Sequence, residues 1–269
     1  MDAKPCAIQI EDAWKSFDGG ASFAVRGVSL GVEAGEFLAL IGASGSGKTT
    51  LLKLINRLIE PTRGSVAVEG EKIAFADPAS LRRRIGYVFQ GVGLFPHLNV
   101  AENIAVTLRL LSWEKTAIAT RVDEMLDLVR LPRGLADRTP ATLSGGQSQR
   151  VGVARALAAK SRIVLMDEPF GAVDPITRDA LARDYRALHD ALKLTTIMVT
   201  HDVLEAVLLA DRIAVLDAGA LIETGTPHDL LTRPREPLSR ELMAMPRRQA
   251  ERIEALTIAA GAAAAAGRV

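Results

Sequence analysis

The sequence predicts an α/β fold. Short apolar runs that read as buried parallel strands alternate with segments of helical periodicity, a glycine-rich loop joins one such run to a helix, and a long helical stretch interrupts the alternation. The glycine-rich loop organises the rest. Gly42-Ala43-Ser44-Gly45-Ser46-Gly47-Lys48-Thr49 fits G-x-x-x-x-G-K-[ST], preceded by the apolar run Phe37–Ile41 and followed by Thr49–Leu58 at helical spacing. In such a loop Gly42, Gly45 and Gly47 keep side chains clear, so that backbone N–H groups and a helix N-terminus close on phosphate oxygens. Lys48 then reaches the β- and γ-phosphates as a point charge, and the Thr49 hydroxyl suits Mg²⁺.

At 269 residues, 48% hydrophobic and 24% charged, the chain supports one large domain, or one with a lobe inserted. A net charge of +1 lacks the basic excess that accompanies nucleic-acid binding. The single cysteine, Cys6, cannot form an internal disulfide, and no charged-then-apolar leader precedes it, so a cytosolic setting is expected. Cys6 itself reads as a small apolar residue near a strand start. No segment reaches the roughly 20 apolar residues of a membrane span. The longest candidate, Ile258–Gly267, is alanine and glycine and is expected to fray. A membrane role would need spanning helices from other subunits.

Ala7–Phe17 and Val25–Val32 read as strands joined by the turn residues Asp18-Gly19-Gly20. Phe17, at a strand end upstream of the phosphate loop, is placed to stack on a purine, or is one more half-buried strand aromatic. Glu60–Gly64 stops the phosphate-loop helix with a proline, and Ser65–Glu69 forms a hairpin limb. Leu81–Arg84 is a solvated basic helix end before the strand Ile85–Phe89, which delivers Gln90 to the end where parallel sheets place ligand groups.

Asn99–Leu111 and Thr116–Leu128 carry apolar residues at i, i+3 and i+4, so a helical lobe is expected over about residues 97–160. Ser144 and Gln147 satisfy the capping-box rule for a helix Gln147–Ala159 whose first turn holds Gly145 and Gly146. Glycines there weaken the helix by up to about 1 kcal/mol each but bare its N–H groups, as an anion site would. The apolar strand ending in Asp167-Glu168 presents one carboxylate suited to Mg²⁺ and one suited to orient or deprotonate water, unless the pair is an ordinary turn. Pro175 opens a helix with Leu181, Tyr185, Leu188 and Leu192 on one face, and Thr195–Thr200 delivers His201 and Asp202 to a strand end. Arg212–Leu216 and Leu221–Glu223 form a hairpin, and Thr226 caps a short helix. Residues 236–269, with Arg247, Arg248 and Arg252, read as an accessory tail beyond a domain of residues 1–235.

The ordered set Gly42–Thr49, Gln90, Leu143-Ser144-Gly145-Gly146-Gln147, Asp167-Glu168, Asp174 and His201 resembles the ATP-binding cassette family over about residues 7–235. The resemblance implies a RecA-like P-loop NTPase core with an antiparallel β subdomain and an inserted helical subdomain. It implies a head-to-tail homodimer in which ATP lies between the phosphate loop of one copy and the signature helix of the other. On the matching positions, Lys48 and the backbone of Ser44, Gly45, Ser46, Gly47 and Thr49 would bind phosphate, with Thr50 nearby. Thr49, Gln90 and Asp167 would serve Mg²⁺, Glu168 would be the general base, and His201 would sense the γ-phosphate. Ser144, Gly145, Gly146 and Gln147 would close on the partner's ATP, Phe17 would stack on adenine, and Asp174 would lie in the loop crossing to the other cassette. Ser148, Gly171 and Val173 depart from the usual residues, and none of the three removes a phosphate, Mg²⁺ or base group.

Within that family, Leu54–Thr62, Leu81–Val88, Gly93–His97 and Pro169–Ala172 look like cassettes of bacterial importers for quaternary amine osmoprotectants: glycine betaine, choline, carnitine or proline. The resemblance implies integral membrane permease subunits as partners, a solute-binding protein acting indirectly, and a peripheral position on the cytoplasmic face of the inner membrane. An importer for another solute, such as amino acids, keeps the same motifs. A soluble cassette acting on nucleic acid or ribosomes is disfavoured by the absence of a sustained heptad insertion between Thr49 and Ser144, and no nucleic-acid partner is expected.

Overall fold

The computed structural model describes residues 6–91, 93–171, 173–248 and 251. In chain order the elements are β1 (Cys6–Lys15), β2 (Val25–Glu33), β3 (Phe37–Ile41), α1 (Lys48–Ile55), β4 (Arg63–Val68), β5 (Glu71–Lys72), α2 (Pro78–Arg84) and β6 (Ile85–Val88). There follow α3 (Val100–Leu110), α4 (Lys115–Leu128), α5 (Gly145–Ala158), β7 (Ile163–Asp167), α6 (Pro175–Leu192), β8 (Thr195–Val199), α7 (Val203–Leu209), β9 (Arg212–Asp217), β10 (Ala220–Gly225) and α8 (Pro227–Thr232).

Among the described residues ten strands form two sheets: a four-stranded antiparallel sheet ordered β2-β1-β4-β5, and a six-stranded sheet ordered β10-β9-β3-β8-β7-β6. In the larger sheet β9, β3, β8, β7 and β6 run parallel and β10 closes the edge antiparallel. Residues of β3, β7 and β8 are buried throughout, because elements cover both sheet faces. Their side chains divide by alternation. Phe37, Ala39 and Ile41 of β3, with Val164 and Met166 of β7, enter the core under α3–α7; Leu38 and Leu40, with Ile163 and Leu165, enter the core beneath α1 and the antiparallel sheet. The α/β class is therefore as expected, and α3, α4, two short 3₁₀ turns and α5 fill residues 100–158 between β6 and β7.

Long-range packing changed several local expectations. Helix α1 ends at Ile55 rather than Leu58, because Arg57 takes a left-handed φ of 53° well before Pro61. On α6, Leu192 is exposed and His189 is buried in its place. The segment read as an accessory tail begins packed against the domain. Residues 237–248 are helical, Ser239 and Met243 are buried, Leu238 and Leu242 pack on the main core, and Glu223 accepts the backbone N–H groups of Arg235 and Glu236. Arg252 and the alanine-rich Ile258–Gly267 lie outside the described residues. Cys6 is exposed at the start of β1. Among the described residues no helix is long and apolar enough to cross a membrane.

His189 carries a testable pH dependence. Its Nδ1 lies 3.0 Å from Thr196 Oγ1 and its ring packs 5.1 Å from Phe37; burial, reinforced by Arg186, pushes its pKa below the ordinary histidine value. Below about pH 6.5 the unfolded chain takes up a proton that the folded state resists, so stability is present above that pH and is lost as pH falls through it. Replacing His189 by Gln should flatten this part of a chemical-denaturation midpoint against pH; an unchanged slope would assign it to other groups.

Candidate functional site: a phosphate-loop cavity

The cavity is built where β3 ends. Gly42 has φ 146°, and a Cβ there would fall 2.0 Å from the Leu216 carbonyl oxygen; Gly47 has φ 94°, and a Cβ there would fall 2.1 Å from the Ala24 carbonyl oxygen. Both contacts are with backbone, so only glycine fits. The loop encloses about 430 Å³ lined by residues 44–50, Ala24, Glu168 and His201. A larger cleft of about 880 Å³ runs past Glu69, Arg162, Asp190 and Lys193, at the amino ends of β7 and β8 and away from these groups. In α/β sheets ligands lie at the carboxyl ends of the strands, which favours the smaller cavity.

Lys48 donates from Nζ to the carbonyl oxygens of Gly42 (3.0 Å) and Ala43 (2.8 Å) and to Ser46 Oγ (3.3 Å). Burial lowers its pKa, while the charges of Glu168 and Asp167 oppose that shift. Parallel pairing of β7 with β8 brings Asp167 level with Val199, beside the start of α1, where its Oδ1 accepts the Thr49 hydroxyl at 2.9 Å. Burial is the main reason its carboxyl sits above the usual range. Glu168 follows in a left-handed conformation (φ 45°), fixed by its N–H donating to the Val199 carbonyl at 2.9 Å. A non-glycine residue held there costs on the order of 1–3 kcal/mol, a kind of strain that clusters at functional sites.

Gln90 Nε2 donates to Glu168 Oε2 at 2.9 Å, and His201 Nδ1 lies 3.5 Å from the same oxygen. The structure thus brings Gln90 and His201 together at Glu168, the residue that follows Asp167. Tyr87 on β6 was not singled out in the sequence; burial and the neighbouring Asp167 charge hold its hydroxyl protonated well above the ordinary tyrosine value. Its only sequence signal is its place two residues before the end of the apolar run that delivers Gln90.

The signature residues form a separate feature. Ser144 Oγ accepts the Gln147 N–H (3.2 Å) and Gln147 Oε1 accepts the Ser144 N–H (3.0 Å), the expected capping box, so α5 begins at Gly145 and not at Gln147. A Cβ on Gly146 would fall 2.6 Å from Thr177 Cγ2, so close packing against the first turn of α6 is a second reason for glycine there. Asp174 caps α6 by accepting the Thr177 N–H at 3.0 Å. None of residues 143–147, nor Asp174, lines the phosphate-loop cavity. Phe17 lies on the β1–β2 loop and is 67% exposed.

A groove of about 530 Å³ opens beside Gln90, lined by Arg82, Tyr87, Phe89, Phe95 and Arg155. Phe89 and Phe95 are 44% and 42% exposed, and the Arg155 guanidinium sits 5.7 and 5.8 Å from their ring centres while donating to the Gly93 carbonyl.

The family described as ABC transporter matches residues 25–171. The chain is 48% identical over 236 residues to the choline transport ATP-binding protein OpuBA of Bacillus subtilis, covering 88% of this chain and 62% of that protein. It is also 48% identical over 215 residues to the glycine betaine uptake system ATP-binding protein YehX of Escherichia coli, covering 80% of this chain and 70% of that one. The chain spans about three fifths of the length of several curated relatives it matches at this level. Among solved structures, an ATP-binding cassette in a dimeric post-hydrolysis state bound to ADP and Pi superposes with a TM-score of 0.74 at 32% identity, over 82% of this chain and 98% of that chain. With the phosphate loop, the capped signature helix and the strand-end carboxylates in one fold, this chain belongs to the ABC transporter family.

Proposed function

We propose that the chain is the ATP-hydrolysing subunit of an importer for quaternary amine osmoprotectants such as glycine betaine, choline, carnitine or proline. The observation that carries the hydrolytic part is the convergence of Gln90 and His201 on Glu168, next to the Thr49–Asp167 pair and the phosphate loop. The backbone of residues 44–49 and Lys48 bind the β- and γ-phosphates. Thr49 and Asp167 offer one hydroxyl and one carboxylate, a donor set that suits Mg²⁺ because this ion keeps phosphate and water among its ligands. When bound, Mg²⁺ neutralises charge developing on the phosphates. Glu168 takes the proton of the attacking water, and Gln90 and His201 hold the carboxylate in place.

The separation of Ser144–Gln147 from the cavity in one chain supports a head-to-tail dimer in which a second copy supplies the far wall. The groove beside Gln90, apolar at Phe89 and Phe95 and cationic at Arg82 and Arg155, suits a permease segment at the cytoplasmic face of the membrane. A solute-binding protein then acts only through that permease. Cargo rests on likeness to relatives, since an ATPase subunit does not touch solute; an amino-acid importer would use the same site.

Two measurements test this reading. Specific ATPase activity should rise with chain concentration as the dimer forms, and activity per chain that is flat down to high dilution would overturn the shared site. In a complex reconstituted with its permease, betaine or choline should stimulate hydrolysis; stimulation only by an unrelated solute would overturn the cargo.

A further inference from the structure

The loop that carries Phe17 is built by two side chains. Ser16 donates its hydroxyl to Asp18 Oδ1 at 2.7 Å and accepts the backbone N–H groups of Gly20 at 2.8 Å and Asp18 at 3.3 Å. Asp18 in turn accepts the Ser22 N–H at 2.9 Å and the Ser22 hydroxyl at 2.6 Å. Gly19 and Gly20, at φ 72° and 104°, let the chain fold back around that carboxylate. These hydrogen bonds hold the Asp18 carboxyl well below the usual carboxylate range.

The root of the loop is as well defined as its tip. Ala24 N–H donates to the Lys15 carbonyl at 2.8 Å, and Ser16 N–H donates to Thr62 Oγ1 at 3.1 Å. Phe23 packs edge-on against Trp14, with ring centres 5.2 Å apart. The Ala24 carbonyl lies against Gly47, inside the phosphate loop itself. The loop is therefore anchored to the phosphate cradle on one side and carries an exposed aromatic ring on the other, with the Lys15 ammonium 5.1 Å from that ring's centre.

An exposed aromatic on a slack loop would lose backbone and rotamer freedom on capturing a base; one on a loop already closed by its own hydrogen bonds loses much less. We propose that Ser16 and Asp18 are positioning residues for nucleotide binding: their hydrogen-bonded loop holds Phe17 as a preformed stacking platform for a purine base, at a set distance from the phosphate loop. The inference rests on the nucleotide reading of the cavity, and the test separates the two.

Binding of Mg·ATP and of inorganic tripolyphosphate to the full chain is measured by calorimetry, beside steady-state KM and kcat, for Phe17→Ala, Asp18→Ala, Asp18→Asn and Lys48→Ala. Stacking on an aromatic is worth enough that Phe17→Ala should weaken ATP roughly 5–50-fold. Asp18→Ala should weaken ATP and raise KM by about 3–10-fold, with kcat changed less than about twofold and tripolyphosphate binding unchanged. Asp18→Asn, which keeps an acceptor for the Ser22 N–H, should recover most of the loss. The proposal is overturned by ATP binding that Asp18→Ala leaves intact while Phe17→Ala weakens it, and equally by a loss that extends to tripolyphosphate. If neither variant affects ATP while Lys48→Ala abolishes binding, the platform is wrong and the phosphate-loop reading stands; if Lys48→Ala binds ATP normally, the nucleotide reading itself falls.

Discussion

Replacing Glu168 by Gln is expected to lower the ATP hydrolysis rate by about 10²–10⁴-fold, the contribution of a well-placed general base, while ATP binding persists. The geometry supports this separation of effects. Glu168 Oε2 accepts from Gln90, and a glutamine presents an amide to the same neighbours without the ability to take a proton. Lys48, Thr49 and the loop backbone are untouched by the change. The variant chain should therefore accumulate with ATP bound, and, if the site is shared between two copies, as an ATP-dependent dimer visible by sedimentation. Single-turnover hydrolysis at the wild-type rate would remove Glu168 from the role of base.

Gly47→Ala should abolish nucleotide binding and also lower the melting temperature, whereas Gly45→Ala should do much less. Both residues lie in the left-handed region, at φ 94° and 78°, so each alanine carries a backbone penalty of about 1–3 kcal/mol. The difference is what the new methyl group meets. At Gly45 nothing lies within 4 Å; at Gly47 the Ala24 carbonyl oxygen is 2.1 Å away. Overpacking adds about 1–3 kcal/mol and displaces either the phosphate loop or the strand that begins at Val25. Nucleotide titration and thermal melts of the two variants, compared side by side, test the claim; equal losses in both would show that the φ penalty alone governs this loop.

What could be read from the sequence follows the range over which each signal acts. The strand Phe37–Ile41 lies where its apolar run puts it, and the runs ending at Asp167 and Thr200 mark β7 and β8 to within a residue, because strands buried on both faces of a parallel sheet read as near-continuous apolar and β-branched runs. The caps Ser144 and Thr226 were legible because capping is a contact over three residues, and the structure adds Asn99 and Asp174 as caps of α3 and α6. His189 was not legible. Helical periodicity reports that a face is apolar, and Leu192 fits that face as well as any residue, but in the packed structure Leu192 is exposed and His189 is buried. The docking of residues 237–248 was equally hidden, since it follows a turn that Glu223 holds by accepting the backbone N–H groups of Arg235 and Glu236, a contact that no local periodicity reports.

The sequence by itself determined the local patterns: the phosphate loop, the strand-end Asp167 and Glu168, His201 and the signature turn, each with a spacing that sets its backbone environment. Only the tertiary structure decided how those groups meet. Parallel pairing of β6, β7 and β8 lines up three strand ends, so that Gln90 and His201 converge on Glu168, and Asp167 reaches Thr49 across the sheet. The same packing keeps Ser144–Gln147 outside the cavity and sets Gly146 close against the Thr177 side chain. Contacts of this kind join residues far apart in the chain, and neither spacing nor periodicity encodes the distance between them.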